Sequence, residues 1–243
     1  RVIYGEFLYN PCKLLYLCSQ NKKEKTMKKL VIFDLDGTLL NTIADLAQST
    51  NHALSVLGYP THEESAYNFM VGNGINKLFE RALPETAKNE ENVLRVRKEF
   101  IPYYDAHNAD KSHPYPGIPE LLEQIQSQGL QIAVASNKYQ AATQKLIAHY
   151  FPKIHFVAVF GQREGVNVKP DPTIVEDILT IAKTDKRDVL YVGDSGVDMQ
   201  TAINAGVTSC GVTWGFRPRT ELEEFHPDYV VDKAEEIIDI IME

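Results

Sequence analysis

The chain has 243 residues, 44% hydrophobic and 24% charged, and 33 acidic against 25 basic side chains leave it at −8. This is a globular composition, long enough for one large domain or a core with a smaller insert. The acidic balance argues against a nucleic-acid partner, whose affinity comes from basic groups that neutralise phosphates, and no apolar run reaches the roughly 20 residues of a membrane helix.

Residues 1–26 differ from the rest of the chain. They lack the apolar stretch and small-residue cleavage site of a signal peptide, and Met27 stands directly before KKLVIF. They are expected to be an extension outside the functional domain, so that deleting them leaves activity intact. Cys12, Cys18 and Cys210 have no metal-type spacing and read as free thiols of a reducing cytoplasm.

The first strand is LVIF (30–33), four apolar residues that run into Asp34 and Asp36. From Asn41 to about His113 the pattern is helical with no convincing strand. TIADLAQSTNHALSVLG (42–58), GINKLFERAL (74–83) and ENVLRVRKEFIPYYDAHN (91–108) carry apolar residues at helical spacing. HPYPGIP (113–119) marks a return to alternation. Strands are predicted at LQIAVAS (130–136), FVAVFG (156–161), VLYVGD (189–194), CGVTWG (210–215) and DYVVD (228–232). Helices are predicted between them over 117–129, 139–151, 172–183 and 197–206. Continuous apolar runs suit parallel strands covered on both faces. Their alternation with helices predicts an α/β fold, a doubly wound Rossmann-like sheet with an inserted helical unit.

Ligands of such sheets bind at the carboxyl ends of the strands, so the residues just after each run carry the chemistry. Asp34 and Asp36, two apart in extended backbone, point to one side. An aspartate there can be a nucleophile and its neighbour a general acid or base, although Asp-Gly-Thr is also ordinary turn chemistry. Ser136-Asn137 can hold phosphate oxygens or simply cap a helix. Lys169 can offset the carboxylates, or be a solvated loop residue. Asp194 and Asp198 suit Mg²⁺, or serve as a turn residue and a first-turn acid. Each signal is modest, and their order is what makes the combination specific.

In that order the four motifs resemble the haloacid dehalogenase superfamily of phosphotransferases over residues 28–243. The phosphoglycolate phosphatase-like branch, with its helical cap after the first motif and a similar 212–232 tail, matches best. The resemblance implies a catalytic core of 27–40 and 114–243, a cap of 41–113, and a Mg²⁺-dependent phosphatase acting on a small phosphorylated metabolite. It implies that Asp34 attacks phosphorus, that Asp36 protonates the leaving alcohol and then deprotonates water, and that Lys169 tethers nucleophile and phosphoryl group. Ser136 and the backbone of Asn137 bind phosphate. Asp34, the carbonyl of Asp36 and Asp194 hold Mg²⁺, with Asp198 supporting that shell directly or through a hydrogen bond. Thr38 supports the loop at the phosphate, and the Gly72-Asn73-Gly74 turn dips toward the substrate. Lys77 and Arg81 share a helix face that could meet a substrate carboxylate or solvent. Many relatives carry Asp-Ser where this chain has Asn41-Thr42, which puts the hinge contacts in question. A β-phosphoglucomutase-like transferase, a pyrophosphatase and a receiver-like phospho-accepting module are the alternatives. Asp36 and the cap speak against the last, and nothing in the pattern chooses between monomer and homodimer.

Overall fold

The computed structural model describes residues 27–243, so the expected boundary at 26 and the readings of Cys12 and Cys18 lie outside the described residues. Cys210 is a buried free thiol. Six parallel strands form the main sheet in the order β5-β4-β1-β6-β7-β8. They are β1 (Leu30–Phe33), β4 (Gln131–Tyr139), β5 (Phe156–Gln162), β6 (Val189–Gly193), β7 (Thr208–Val212) and β8 (Tyr229–Val231). β1 is central, and successive strands are added on either side of it, which places the topological switch point at its carboxyl end.

The unbroken apolar runs have a direct cause. Val31 and Phe33 enter one core layer, with Ile132, Val134, Leu190 and Val192. Leu30 and Ile32 enter the other, with Ala133, Ala135, Val189 and Tyr191. Both faces of the sheet are dry, so alternation of polar and apolar residues has no place in these strands. The covering helices are α4 (Ile118–Ser127), α5 (Gln140–Tyr150), α6 (Thr173–Ala182), α7 (Gly196–Ala205), the short α8 (Arg219–Glu223) and α9 (Glu236–Met242). Each crossover helix ends within two residues of its expected bounds. α7 opens on a capping box in which Ser195 and Asp198 satisfy each other's backbone groups, and it closes on left-handed Gly206.

Between Asn41 and His113 the chain builds α1 (Ile43–Val56), α2 (Ile75–Ala82) and α3 (Glu90–His107) with two short 3₁₀ turns. These helices enclose their own apolar cluster, centred on Phe79, Phe100 and Tyr104, whose rings stack or meet edge to face at 5.0 Å. The interval is helical as expected, but its ends are not. Leu40–Asn41 (β2) and His113–Pro114 (β3) pair antiparallel and bind the two connectors together. Two-residue strands are too short to leave a period in the sequence. Buried Asp45 of α1 reinforces the junction by accepting from Lys111 N (3.1 Å), Ser112 N (2.8 Å) and Ser112 Oγ (2.7 Å). One further correction concerns CGVTWG: β7 ends at Val212, and Trp214-Gly215 form a loop that turns over the site. Among the described residues no helix is long and apolar enough to cross a membrane.

Candidate active site

β1 delivers Asp34 and Asp36 to the switch point while Leu35 between them turns back into the core. The Asp34 N–H still bonds Val192 O (2.9 Å), so the nucleophile candidate stays on the rigid ladder. Gly37 then reverses the chain at φ +89°, and a methyl group there would lie 2.2 Å from Asp194 Oδ2. The same crowding exists on the other side, where a methyl on Gly215 would sit 2.2 Å from Asp194 Cβ and 2.5 Å from Gly37 O. Asp194 is thus gripped between two glycines, and its Oδ2 accepts from Phe216 N (2.7 Å).

Lys169 lies beneath the acids, 2% exposed. Its ammonium donates to Ala135 O (2.9 Å) and Asp198 Oδ1 (2.7 Å) and pairs with Asp34 Oδ1 (2.9 Å). That last approach is not a well-directed hydrogen bond, and Asp34 Oδ1 remains a buried oxygen without one among the described residues. Asp198 is committed on both oxygens, Oδ1 to Lys169 and Oδ2 to Ser195 N and Oγ (3.2 and 2.6 Å).

Asn137 ties three segments together. Its Oδ1 accepts from Lys169 N (2.8 Å), and its Nδ2 donates to Lys169 O (3.1 Å) and Gly72 O (2.9 Å). Ser136, Asn137, Gly72 and Gly74 therefore share the pocket wall with Asp34, Asp36 and Asp194. Three named residues stand elsewhere. Thr38 is fully buried off that wall, its carbonyl taken by Trp214 Nε1 (3.0 Å). Asn73 turns its Oδ1 to Arg81 Nη2 (2.7 Å). Lys77 pairs with Glu80 (2.8 Å), so the Lys77–Arg81 face serves the helix and the 69–73 loop.

Other residues reach this site that the sequence reading does not assign to it. Lys138 is buried with its Nζ 3.0 and 3.1 Å from the Asp36 oxygens. Strand alternation does not mark it, because the pairing of β4 with β5 is irregular between Ala135 and Tyr139 and Ser136, Asn137, Lys138 and Tyr139 all line the pocket. Thr42, half of the Asn-Thr departure at the hinge, donates to Asp36 Oδ1 (2.7 Å). Phe216 and Arg217 come from the loop after β7, and Arg217 Nη2 donates to Val71 O (2.9 Å).

Burial pushes the Asp34 carboxyl up to about 7, against the pull of Lys169 and with the charges of Asp198 and Asp36 adding to it. Burial also raises Asp194 well above the carboxylate range, with Asp198 and Asp34 next in effect. Burial alone would lower Lys169, but Asp198 and Asp34 outweigh it and hold the ammonium charged. Asp34, Asp194 and Asp198 each offer an oxygen, all within 4.8 Å of one another. A hard-oxygen donor set this acidic, with an orphaned carboxylate oxygen, fits a divalent cation. Because Asp198 is already engaged on both oxygens, the open capacity lies on Asp34 and Asp194.

The doubly wound sheet thus brings an acidic cluster and a buried lysine together at its switch point. The sequence matches the haloacid dehalogenase-like hydrolase model over residues 31–212, and the chain belongs to that family. Among its relatives, the phosphoglycolate phosphatase of Vibrio parahaemolyticus is 31% identical over 218 residues, covering 88% of this chain and 96% of that one. That of Mesorhizobium japonicum is 33% identical over 206 residues, covering 84% and 90%. The crystal structure of a predicted phosphoglycolate phosphatase from Haemophilus somnus superposes with TM-score 0.82 at 30% identity, covering 88% of this chain and 98% of that one. A protein of Lactobacillus delbrueckii subsp. bulgaricus does so with TM-score 0.84 at 30% identity, covering 89% and 99%. The family resemblance and the doubly wound fold read from the sequence are both borne out.

Proposed function

We propose that this hydrolase is a Mg²⁺-dependent phosphatase that cleaves a small phosphomonoester of the phosphoglycolate kind through an aspartyl-phosphate on Asp34. The observation that carries the reading is the pair Asp34 and Asp36 side by side at the central strand's end, facing a pocket roofed by α1–α3. One carboxylate without the other would serve binding; two with separate partners can divide the work of nucleophile and acid.

An Asp34 oxygen attacks phosphorus, the bond to the ester oxygen breaks, and Asp36 gives that oxygen its proton, releasing the alcohol. Asp36 then takes a proton from water as the water attacks the acyl-phosphate, which frees inorganic phosphate and restores Asp34. Ser136 Oγ and the N–H groups around Asn137 hold phosphate oxygens, and Lys169 fixes Asp34 and offsets the negative charge. Asp34, the Asp36 carbonyl and Asp194 would hold Mg²⁺, and Asp198 supports the group through Lys169. When bound, the cation supplies charge neutralisation that lets a phosphate dianion approach a carboxylate. Helices α1–α3 act as a cap that excludes water.

Phosphate release from a panel of small phosphomonoesters, with and without Mg²⁺, for wild type and Asp36→Asn tests the reading. Turnover that needs Mg²⁺, peaks on one ester and disappears in the variant supports it. No release from any ester, with a persistent phospho-protein in the wild type, overturns it in favour of a phosphotransferase or a signalling module.

A further inference from the structure

Among the pocket-lining polar groups that the proposed phosphate chemistry does not use, two stand next to each other near Asp36. The first is Lys138. Its ammonium has three donors, two of which reach the Asp36 oxygens, and among the described residues no further acceptor is in hydrogen-bond range. Its charge sits 4.8 Å from the centroid of the Tyr104 ring. The second is Tyr104 itself. It comes from α3, lines the pocket, is fully buried, and its hydroxyl has no hydrogen-bond partner among the described residues. A buried hydroxyl left unpaired is costly, so it is a group with an acceptor missing. Burial and the nearby charge of Asp36 push its ionisation well above the ordinary phenol range, which keeps it a donor. Around the two, Leu46, Ile75, Leu78 and Phe100 make the wall apolar. Lys138 keeps one donor beyond its pair with Asp36, and with the unpaired Tyr104 hydroxyl it offers an anionic acceptor two donors in apolar surroundings.

We infer that Lys138 and Tyr104 form a subsite for a carboxylate on the substrate's alcohol portion, and so set which phosphomonoester is cleaved. This rests on the phosphatase reading and adds specificity residues to it. The geometry limits the spacing. An ester oxygen in hydrogen-bond reach of Asp36 lies within roughly 6 Å of Lys138 Nζ, because two hydrogen bonds in series span no more. A carboxylate on the carbon next to the ester oxygen bridges that gap with an ordinary hydrogen bond. The subsite also straddles the molecule, since Lys138 is on the sheet and Tyr104 on the helical unit. A substrate anion held by both adds a contact to those that already join the two halves.

The test compares 2-phosphoglycolate with ethyl phosphate, which replaces the carboxylate by a methyl group, at saturating Mg²⁺. The readout is the ratio of kcat/KM for the two esters in wild type, Lys138→Met and Tyr104→Phe. Because Lys138 also contacts Asp36, its loss slows both esters, and the ratio alone is decisive. The wild type should favour the carboxylated ester at least tenfold. Lys138→Met should reduce that preference at least tenfold, chiefly through KM, and Tyr104→Phe about threefold or more. Equal loss on both esters in Lys138→Met would confine that residue to Asp36 and overturn the inference. Should Lys138→Met not fold, Tyr104→Phe decides alone, since it removes a hydroxyl that bonds nothing within the described residues; an unchanged ratio there overturns the subsite. A wild type that cleaves both esters equally refutes the subsite and leaves the phosphatase intact. A wild type that cleaves neither, nor any other ester, removes the phosphatase reading itself.

Discussion

Replacing Lys169 by Met removes the buried cation that faces Asp34 and Asp198. The ammonium is 2% exposed and faces Asp198 Oδ1 at 2.7 Å and Asp34 Oδ1 at 2.9 Å, so its loss leaves two buried carboxylates without a counter-ion. Breaking a buried pair from one side costs about 3–5 kcal/mol, and the penalty is smaller at low pH, where Asp34 takes up a proton. For a body of this size each kcal/mol lowers Tm by about 2–4 °C, so the variant should melt roughly 6–20 °C below wild type in EDTA at pH 8. Phosphatase turnover should fall by at least about 10²-fold, the scale of losing one electrostatic group in a closed site. Lys169→Arg should not restore it, because the forked guanidinium does not fit a socket shaped by Ala135 O and two carboxylates. The assay is a thermal melt in EDTA beside phosphate release with Mg²⁺. A Tm within 2 °C of wild type would show that the acids do not depend on Lys169, and the charge argument would fail.

Gly215→Ala places a methyl group against Asp194; about 1–3 kcal/mol of stability should be lost and the Mg²⁺ needed for half-maximal rate should rise at least tenfold, both read in one metal titration with a parallel melt. Asp45→Ala leaves three donors at the junction of the helical unit without their acceptor and should cost about 3 kcal/mol in urea denaturation; a loss below 1 kcal/mol would mean the β2–β3 pair alone holds the connectors. Metal and proton compete for Asp34, whose carboxyl keeps its proton up to about 7 in the metal-free protein. Mg²⁺ affinity measured by calorimetry should therefore weaken as pH falls below 7, by up to about tenfold per unit, with proton release on binding. The same shift has a stability sign. The unfolded chain loses that proton near 3.8 and the folded chain only near 7, so in EDTA stability falls as pH rises between those values. Saturating Mg²⁺ should flatten that slope, and a slope equal with and without metal would count against it.

The legible parts of the sequence are those where local physics is strong. Strands buried on both faces have no choice but continuous apolar runs, and a strand end with acids at two-residue spacing has only one side to present them. Lys169 and Asp198 can be named as acidic-site residues, but not that they bond each other, because that contact joins segments 29 residues apart. The β2–β3 pair is invisible because two residues carry no period. Lys138 escapes notice because the apolar run ends at Ser136 while the strand goes on to Tyr139 with an irregular register that breaks the two-residue period. Tyr104 and Arg217 lie in a helix pattern and a loop with nothing local to mark them, and only the packing of the helical unit on the sheet brings them to the pocket.

In the proposed reaction Asp34 carries the phosphoryl group and Asp36 ends that state. The direct measurement is rapid acid-quench phosphopeptide mapping of the wild type in its first turnovers with Mg²⁺ and ³²P-labelled 2-phosphoglycolate. The expected result is label that survives acid, is released by hydroxylamine and maps to the peptide containing Asp34, with none in Asp34→Asn. Label on any other residue, or label that persists when Asp34 is replaced, would contradict it.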